Sequence, residues 1–331
     1  MAKAHQRLLW ADIARIVAIY LVITLHSAVL PEKLDLQHFD LRLITHSIPN
    51  ACIPLFVMLS GALLLGKKET YQTFFKKRLT RILVPWFAWT IVFVSIQGTG
   101  FIATLQSFWF LPMINCLYLV TPAMRLFIQH SKSRDTLAIV VLWFLGVSVL
   151  PYIHNTPAFP LSVDNGLVRQ VIDYFGYFLL GYVFVTIKVP RPKLLSGVLI
   201  LGGIIWSTIG TIAFSMATNN LLSHEYYRYI APSTVLLSAG IFLTIYSFTK
   251  GKTIKNPYLN KLVISVSTAA LAIYFIHPLI QQLFTHFFGK YNVIAFFPPF
   301  DAYLNGLIIF TASFGVLWVV FRIPIVRRIF R

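Results

Sequence analysis

An arginine and a histidine in the first apolar stretch are the residues best suited to chemistry. Arg15 and His26 lie about three helical turns, or about 16 Å, apart on one helix face. Ionisable side chains within a membrane-spanning segment are costly and are functional candidates by default. A neutral imidazole can accept a proton near pH 7. The pair therefore predicts proton-transfer chemistry; the alternatives are ion pairing of Arg15 with Asp12, three residues earlier, and a packing role for His26.

The composition indicates that a lipid bilayer positions these residues. Of the 331 residues, 57% are hydrophobic and only 11% are charged, whereas a soluble domain carries about 25% charged residues. Runs of spanning length predict an all-α polytopic membrane protein of about ten helices, forming a single transmembrane domain over residues 1–331. The runs are 9–30, 46–66, 82–98, 106–127, 136–153, 167–187, 195–216, 229–248, 263–285 and 302–323.

The basic residues predict the orientation of these spans. A net charge of +18 could suit nucleic-acid binding, but the basic residues form short clusters between apolar runs, as topology signals do. If the N-terminus is cytosolic, 22 of the 28 lysines and arginines fall in cytosolic segments, five fall in outer segments, and Arg15 is intramembrane. We therefore expect both termini in the cytosol and no nucleic-acid partner.

Several motifs carry a family resemblance. Asp12-Ile-Ala-Arg15 followed by His26 resembles the opening signature of the acyltransferase-3 family of bacterial membrane O-acyltransferases. Segments resembling further motifs of that family follow in the same order, at 54–61, 78–81, 109–122, 273–278 and 323–324. Two positions depart from the pattern, since Ala62 replaces a usual tyrosine and Ser107 stands where the family often has a histidine. The chain resembles the short form of the family, which lacks an esterase-like domain and includes O-acetyltransferases of envelope glycans such as enterobacterial common antigen.

The resemblance implies a donor and roles for four residues. Arg15 and His26 would both be needed for acyl transfer, with His26 as the base. The donor would be a cytosolic acyl-CoA, most often acetyl-CoA, and no metal is expected. Arg78 and Arg81 would bind its phosphates, which guanidinium groups contact bidentately; positive-inside topology is the alternative. Arg15 would lie along the path of the pantetheine arm.

Four more residues are candidates for contact with the acceptor. His277, before Pro278, is either a packing residue or a site residue, and it remains the alternative base. Asp173 could bind a sugar hydroxyl or be an acid at a helix N-terminus. Trp109 and Tyr118 could stack on a sugar or a lipid, or serve as packing aromatics. Direct transfer is preferred, with an acyl-histidine intermediate left open.

Together these features predict an O-acyltransferase of the bacterial cytoplasmic membrane. It would move an acyl group, with acetyl expected, from acyl-CoA to a hydroxyl of a cell-envelope glycan or glycolipid. Membrane lipid is a further partner, and a homo-oligomer is left open. The rival interpretation is a transporter or flippase for an amphiphile, which should place charged groups on several helices near the midplane. A non-catalytic scaffold is a third hypothesis.

Overall fold

The prediction of an all-α membrane protein is confirmed. The computed structural model describes residues 7–33, 40–154, 166–217, 221–289 and 299–323. Within these ranges every regular element is helical, apart from an isolated bridge between Lys33 and Leu221. Several residues used to orient the chain lie outside the described ranges, as does Pro324 of the last motif; they are Lys3, Lys290, Arg327, Arg328 and Arg331.

Helices follow one another along the whole described chain. The α-helices are α1 (Leu9–His26), α2 (Arg42–Thr45), α3 (Cys52–Leu64), α4 (Tyr71–Gln97), α5 (Phe101–Ser107), α6 (Phe110–His130), α7 (Ser133–Trp143), α8 (Leu150–His154), α9 (Leu167–Thr186), α10 (Pro192–Ala217), α11 (Pro232–Thr249), α12 (Pro257–Phe288) and α13 (Asp301–Val320). Short 3₁₀ segments at Ile48–Ala51 and Glu225–Tyr227 precede α3 and α11, and a π-helical turn at Phe144–Val149 joins α7 to α8.

Nine helical stretches in the described part of the chain are long and apolar enough to cross a membrane. They correspond to all the predicted runs except 167–187. That run forms α9, a helix of 20 residues whose first two turns carry Arg169 and Asp173 and are correspondingly less apolar. The stretches are Leu9–His26, Arg42–Leu64, Tyr71–Gln97, Phe110–His130, Ser133–Tyr152, Pro192–Ala217, Glu225–Thr249, Pro257–Phe288 and Asp301–Val320.

Helix α4 begins well before the apolar run that predicted it. The side chain of Thr70 caps its N-terminus by accepting a hydrogen bond from the Thr73 N–H. The helix ends before Gly98, whose φ of +66° suits a residue without Cβ. Arg78 and Arg81 therefore lie within the helix, three residues apart and on one face.

The chain folds into two compact units. The first contains Met1–Leu59 and Val189–Gly315, and the second contains Ser60–Lys188 and Val316–Arg331. In the first unit, α1 packs against α11 and α12, and α10 packs against α11. Helices α10 and α11 approach so closely that α10 needs a glycine at the contact. A Cβ on Gly203 would lie 2.7 Å from the Ser233 carbonyl oxygen.

In the second unit, α6 packs against α4 and α9, and α7 also packs against α9. Small residues again permit close approach. A Cβ on Gly61 would lie 1.7 Å from the Phe178 carbonyl oxygen, and one on Gly176 would lie 1.9 Å from the Trp143 ring. The resemblance-derived motif at 54–61 thus includes a glycine that helix packing requires.

Candidate active site

The fold brings together two histidines that are far apart in the sequence. His26 is the last residue of α1, and His277 lies within α12. His26 Nδ1 and His277 Nε2 are 2.9 Å apart, a hydrogen-bonding distance. The ring centroids are 5.1 Å apart, and the ring planes are inclined by 28° to each other. Both candidate bases therefore belong to one hydrogen-bonded pair in the first unit.

The two rings have different access to solvent. His277 is 1% exposed, and its Nδ1 lies 2.7 Å from the Tyr274 carbonyl oxygen and 3.3 Å from that of Ile273. His26 is exposed and lines a small cleft of about 60 Å³. The polar residues of that lining are His26, Ser27, Gln281, Thr285 and Asn305, beside the rings of Phe284 and Phe288. A molecule in the cleft can therefore contact His26.

Gln281 holds the end of α1 beside the histidine pair. It lies one turn after His277 on the same face of α12. Its side-chain amide donates a hydrogen bond to the His26 carbonyl, one of the last carbonyls of α1, which have no partner inside the helix. Helix α12 thus contacts both the ring and the backbone of His26.

Arg15 belongs to a polar network between α1 and the first half of α12. Its Nη1 donates to the Ser267 hydroxyl at 2.7 Å and to Asp12 Oδ1 at 3.3 Å. Ser267 itself donates to Asp12 at 2.6 Å. Arg7 donates to both Asp12 oxygens and to Thr268. The sequence-based alternative of an Asp12–Arg15 ion pair is therefore present, and 29% of the Arg15 side chain remains exposed.

The contacts between α1 and α12 occur in the same order along both helices. Arg15 meets Ser267, and His26 meets His277. Each interval covers about 15–16 Å at 1.5 Å per residue. The two helices therefore run in the same direction.

The second unit contains the basic residues proposed for phosphate binding. Arg81 is exposed, while Arg78 approaches Glu69 at 3.7 Å and has a buried Nε without a hydrogen-bond partner among the described residues. Burial alone would raise the pKa of Glu69, but the hydrogen bond from Arg125 and the charges of nearby cations lower it. Burial, followed by the charge of Arg78, lowers the pKa of Lys67.

Arg125 supports this cluster from inside α6. It is 5% exposed and donates to Glu69 at 3.0 Å. It also donates two hydrogen bonds to the carbonyl of Leu64, the last residue of α3, and it lies over the Phe74 ring. Glu69 and Arg125 therefore hold the C-terminus of α3 close to Arg78. An exposed Arg81 and a buried, unpaired donor on Arg78 fit an anionic ligand.

The other residues predicted for acceptor contact also lie in the second unit. The Tyr118 hydroxyl is 3.3 Å from Ser60 Oγ, and Trp109 packs at a tilt against Tyr174. Asp173 accepts a hydrogen bond from Arg169 at 2.9 Å. Each of these side chains has a structural partner, and their predicted role in acceptor binding stays a prediction.

Comparison with protein families decides the class of protein. The family model for acyltransferase-3, described as an acyltransferase domain, matches residues 8–322. The chain belongs to the acyltransferase-3 family. It is accordingly a multi-pass membrane acyltransferase. No curated protein and no solved structure matches the chain.

Sequence reasoning missed several residues of this acyltransferase. Arg7 was counted only as an orientation signal, but it binds Asp12. Ser267 and Gln281 were not singled out, although Gln281 is a polar residue in a spanning helix, one turn from His277. Glu69 was also overlooked. Its negative charge could have indicated it, because it is an acid within the densest basic cluster of the acyltransferase.

Proposed function

We propose that the protein transfers an acyl group, with acetyl as the expected group, from acyl-CoA to a hydroxyl of a cell-envelope glycan. The supporting observation is the His26–His277 pair, in which the exposed ring lines a cleft beside the polar side chains of Ser27 and Gln281. A bacterial cytoplasmic membrane is the expected location, because the donor is cytosolic and the modified glycan is outside. The similarity to short-form O-acetyltransferases of envelope glycans is part of this proposal.

His26 is the proposed base. A general base must come within hydrogen-bonding reach of the proton that it removes. His26 lines the cleft, whereas His277 is 1% exposed and is not part of the lining. His277 therefore acts through His26, and its direct contact with substrate is no longer preferred.

The donor site is proposed around Arg78 and Arg81. Arginine forks bind phosphate bidentately, and Arg78 retains a buried donor without a partner among the described side chains. Arg15 is proposed to contact the donor through the exposed part of its guanidinium while Asp12 and Ser267 hold one of its nitrogens. Asp173, Trp109 and Tyr118 are kept as acceptor contacts, since carboxylates bind sugar hydroxyls and aromatic rings stack on sugars.

A direct transfer of the acyl group needs only one histidine to account for every proton. The donor supplies an acyl thioester. His26 takes the proton of the acceptor hydroxyl while the hydroxyl oxygen bonds to the acyl carbon. The carbon–sulfur bond then breaks, and His26 returns the proton to the departing thiolate. The products are an ester and free coenzyme A, and His26 ends in its starting state.

The test is transfer of label from radiolabelled acetyl-CoA in membranes that carry the protein. We expect label in alkali-labile glycan with wild type and a loss of about 10²–10⁴-fold with His26→Ala, the usual contribution of a general base. His130→Ala at matched expression is the control, because His130 is exposed on α6 and, among the residues that the structure describes, its ring bonds only a carbonyl of its own helix. Label that persists in His26→Ala would show that a residue other than His26 is the base. No label in any variant, with folded protein and acceptor present, would favour the transporter hypothesis.

A further inference from the structure

The hydrogen bonding around Pro278 determines which nitrogen of His277 carries a proton. Proline has no N–H, so the carbonyl four residues earlier, that of Tyr274, lacks its usual helical donor. His277 Nδ1 lies 2.7 Å from this oxygen and 3.3 Å from the Ile273 carbonyl oxygen. A carbonyl oxygen can only accept. The proton of His277 is therefore on Nδ1, where it replaces the donor that Pro278 lacks.

The state of His277 then determines the state of His26. A ring that is 1% exposed stays neutral, because an uncompensated buried charge is costly. With its proton on Nδ1, neutral His277 presents a bare Nε2, which can only accept. His26 Nδ1, 2.9 Å away, must therefore donate to it. Neutral His26 consequently has its lone pair on Nε2, and no hydrogen bond in the described part of the chain engages that atom.

We propose that His277 is a positioning residue that holds His26 in the Nδ1–H tautomer. Nε2 of His26 is then the atom that can accept a proton. The part of His277 in catalysis rests on the proposed acyl transfer, whereas the tautomer itself does not. A free neutral histidine side chain prefers the opposite tautomer, so the contact with His277 changes which atom is basic. Gln281 supports the arrangement by holding the His26 carbonyl.

The same contact stabilises His26 after it takes a proton. When Nε2 accepts the proton of the acceptor hydroxyl, the Nδ1–H bond to His277 becomes charge-assisted and therefore stronger. No proton moves to His277, because its Nδ1–H remains on the Tyr274 carbonyl and a second proton on Nε2 would place an uncompensated charge on a buried ring. His277 thus acts without touching substrate.

Nitrogen NMR of the full-length protein tests the tautomer without any assay of activity. The protein would carry ring-¹⁵N histidine and be reconstituted in lipid nanodiscs at a pH where histidine is neutral, with His26 signals assigned by their loss in His26→Gln. We expect a protonated Nδ1 and a bare Nε2 for His26. A protonated Nε2 on His26 in wild type would overturn the proposal, whatever the activity.

Two substitutions of His277 test its effect on His26. The amide oxygen of His277→Gln can still accept from His26 Nδ1–H, whereas His277→Leu has no acceptor. We expect the leucine variant to shift His26 to the Nε2–H form and to lower turnover at least 100-fold, with KM for acetyl-CoA little changed. We expect the glutamine variant to keep the tautomer and to lose less than tenfold.

The outcomes separate this proposal from the proposed function. Equal activity of His277→Leu and wild type would overturn the positioning role. If the leucine variant does not fold, the wild-type spectrum and the glutamine variant still test whether His277 sets the tautomer of His26. The expected tautomer in a protein that transfers no acetyl group would support the histidine arrangement and contradict the acyl-transfer proposal instead.

Discussion

The Ser267 hydroxyl of α12 donates a 2.6 Å hydrogen bond to Asp12 Oδ1 of α1, and Arg15 donates to both partners. Asp12 is 5% exposed, so its charge is compensated almost entirely by these donors and by Arg7. One nitrogen of Arg15 is therefore held in place before any ligand binds. The ion pair that was the structural alternative for Arg15 is therefore present, and it also orients the arginine that we propose for catalysis.

Ser267→Ala should lower the free energy of unfolding by about 1–3 kcal/mol, because it leaves the buried Asp12 with one donor fewer. Thermal or denaturant unfolding of the purified protein in detergent measures this. Ser207→Ala is the matched control, since the Ser207 hydroxyl is equally buried but has no hydrogen-bond partner among the described residues. We expect a change of no more than about 0.5 kcal/mol there. Equal losses in the two variants would show that the hydroxyl of Ser267 contributes nothing specific.

Glu69→Gln should lower stability at neutral pH by about 1–3 kcal/mol, because the buried Arg125 loses a charged acceptor. It should also flatten the acid limb of the pH–stability curve. The pKa of Glu69 is depressed in the folded state, so its contribution is present above the ordinary value of 4.5 and is lost as pH falls below it.

Unfolding temperatures between pH 7 and pH 3 measure the Glu69 effect. Glu225→Gln is the control, because the Glu225–Arg228 pair is about half exposed and should contribute little. An acid limb that is equally steep in wild type and Glu69→Gln would contradict the assignment of this pH dependence to Glu69.

Gly61→Ala should destabilise the protein by at least about 1–3 kcal/mol, the usual range for overpacking. The new Cβ would lie 1.7 Å from a backbone oxygen, that of Phe178, which cannot move aside as a side chain could. Unfolding temperature measures the effect. Gly202→Ala in α10 is the counterpart, because its Cβ would meet no atom within 4 Å, and it should be neutral or stabilise by up to about 1 kcal/mol. Similar behaviour of the two variants would contradict close packing at Gly61.

Arg81→Ala should raise KM for acetyl-CoA about tenfold while leaving kcat unchanged, if Arg81 binds a phosphate that is held equally in the ground and transition states. A charge-assisted hydrogen bond of about 1.5 kcal/mol corresponds to that factor. Lys76→Ala is the control, since Lys76 is an exposed cation of the same helix. We expect less than a threefold change there. Equal effects would indicate that the cluster acts only through its overall charge.

The helices and the candidate residues of α1 could be predicted from the sequence, because both depend on the spacing of nearby residues. The apolar runs fixed the spans to within several residues, and the three-residue interval predicted the Asp12–Arg15 contact that the structure shows. The start of α4 was misplaced because the basic turns before the apolar run are helical as well.

Contacts between distant segments could not be predicted from spacing. His26 and His277 each appeared as a single histidine in its own helix, and nothing in the sequence indicates that they share a hydrogen bond. Arg125, at the end of the predicted run 106–127, was counted among the cytosolic cations, yet it is buried in α6 because Glu69 and the Leu64 carbonyl compensate its charge. Pairing across the fold, rather than residue type, decides which ionisable groups can be buried.

The common direction of α1 and α12 has a consequence for the number of membrane crossings. Counted among the nine strongly apolar stretches alone, α12 would be the eighth crossing and would run opposite to α1. Including α9 makes it the ninth, and the parity then agrees with the observed contacts. If all nine stretches cross the bilayer, α9 has to cross it as well, and its Arg169 and Asp173 form an ion pair there. Ten crossings, the number that the apolar runs predict, are therefore compatible with the direction of α1 and α12.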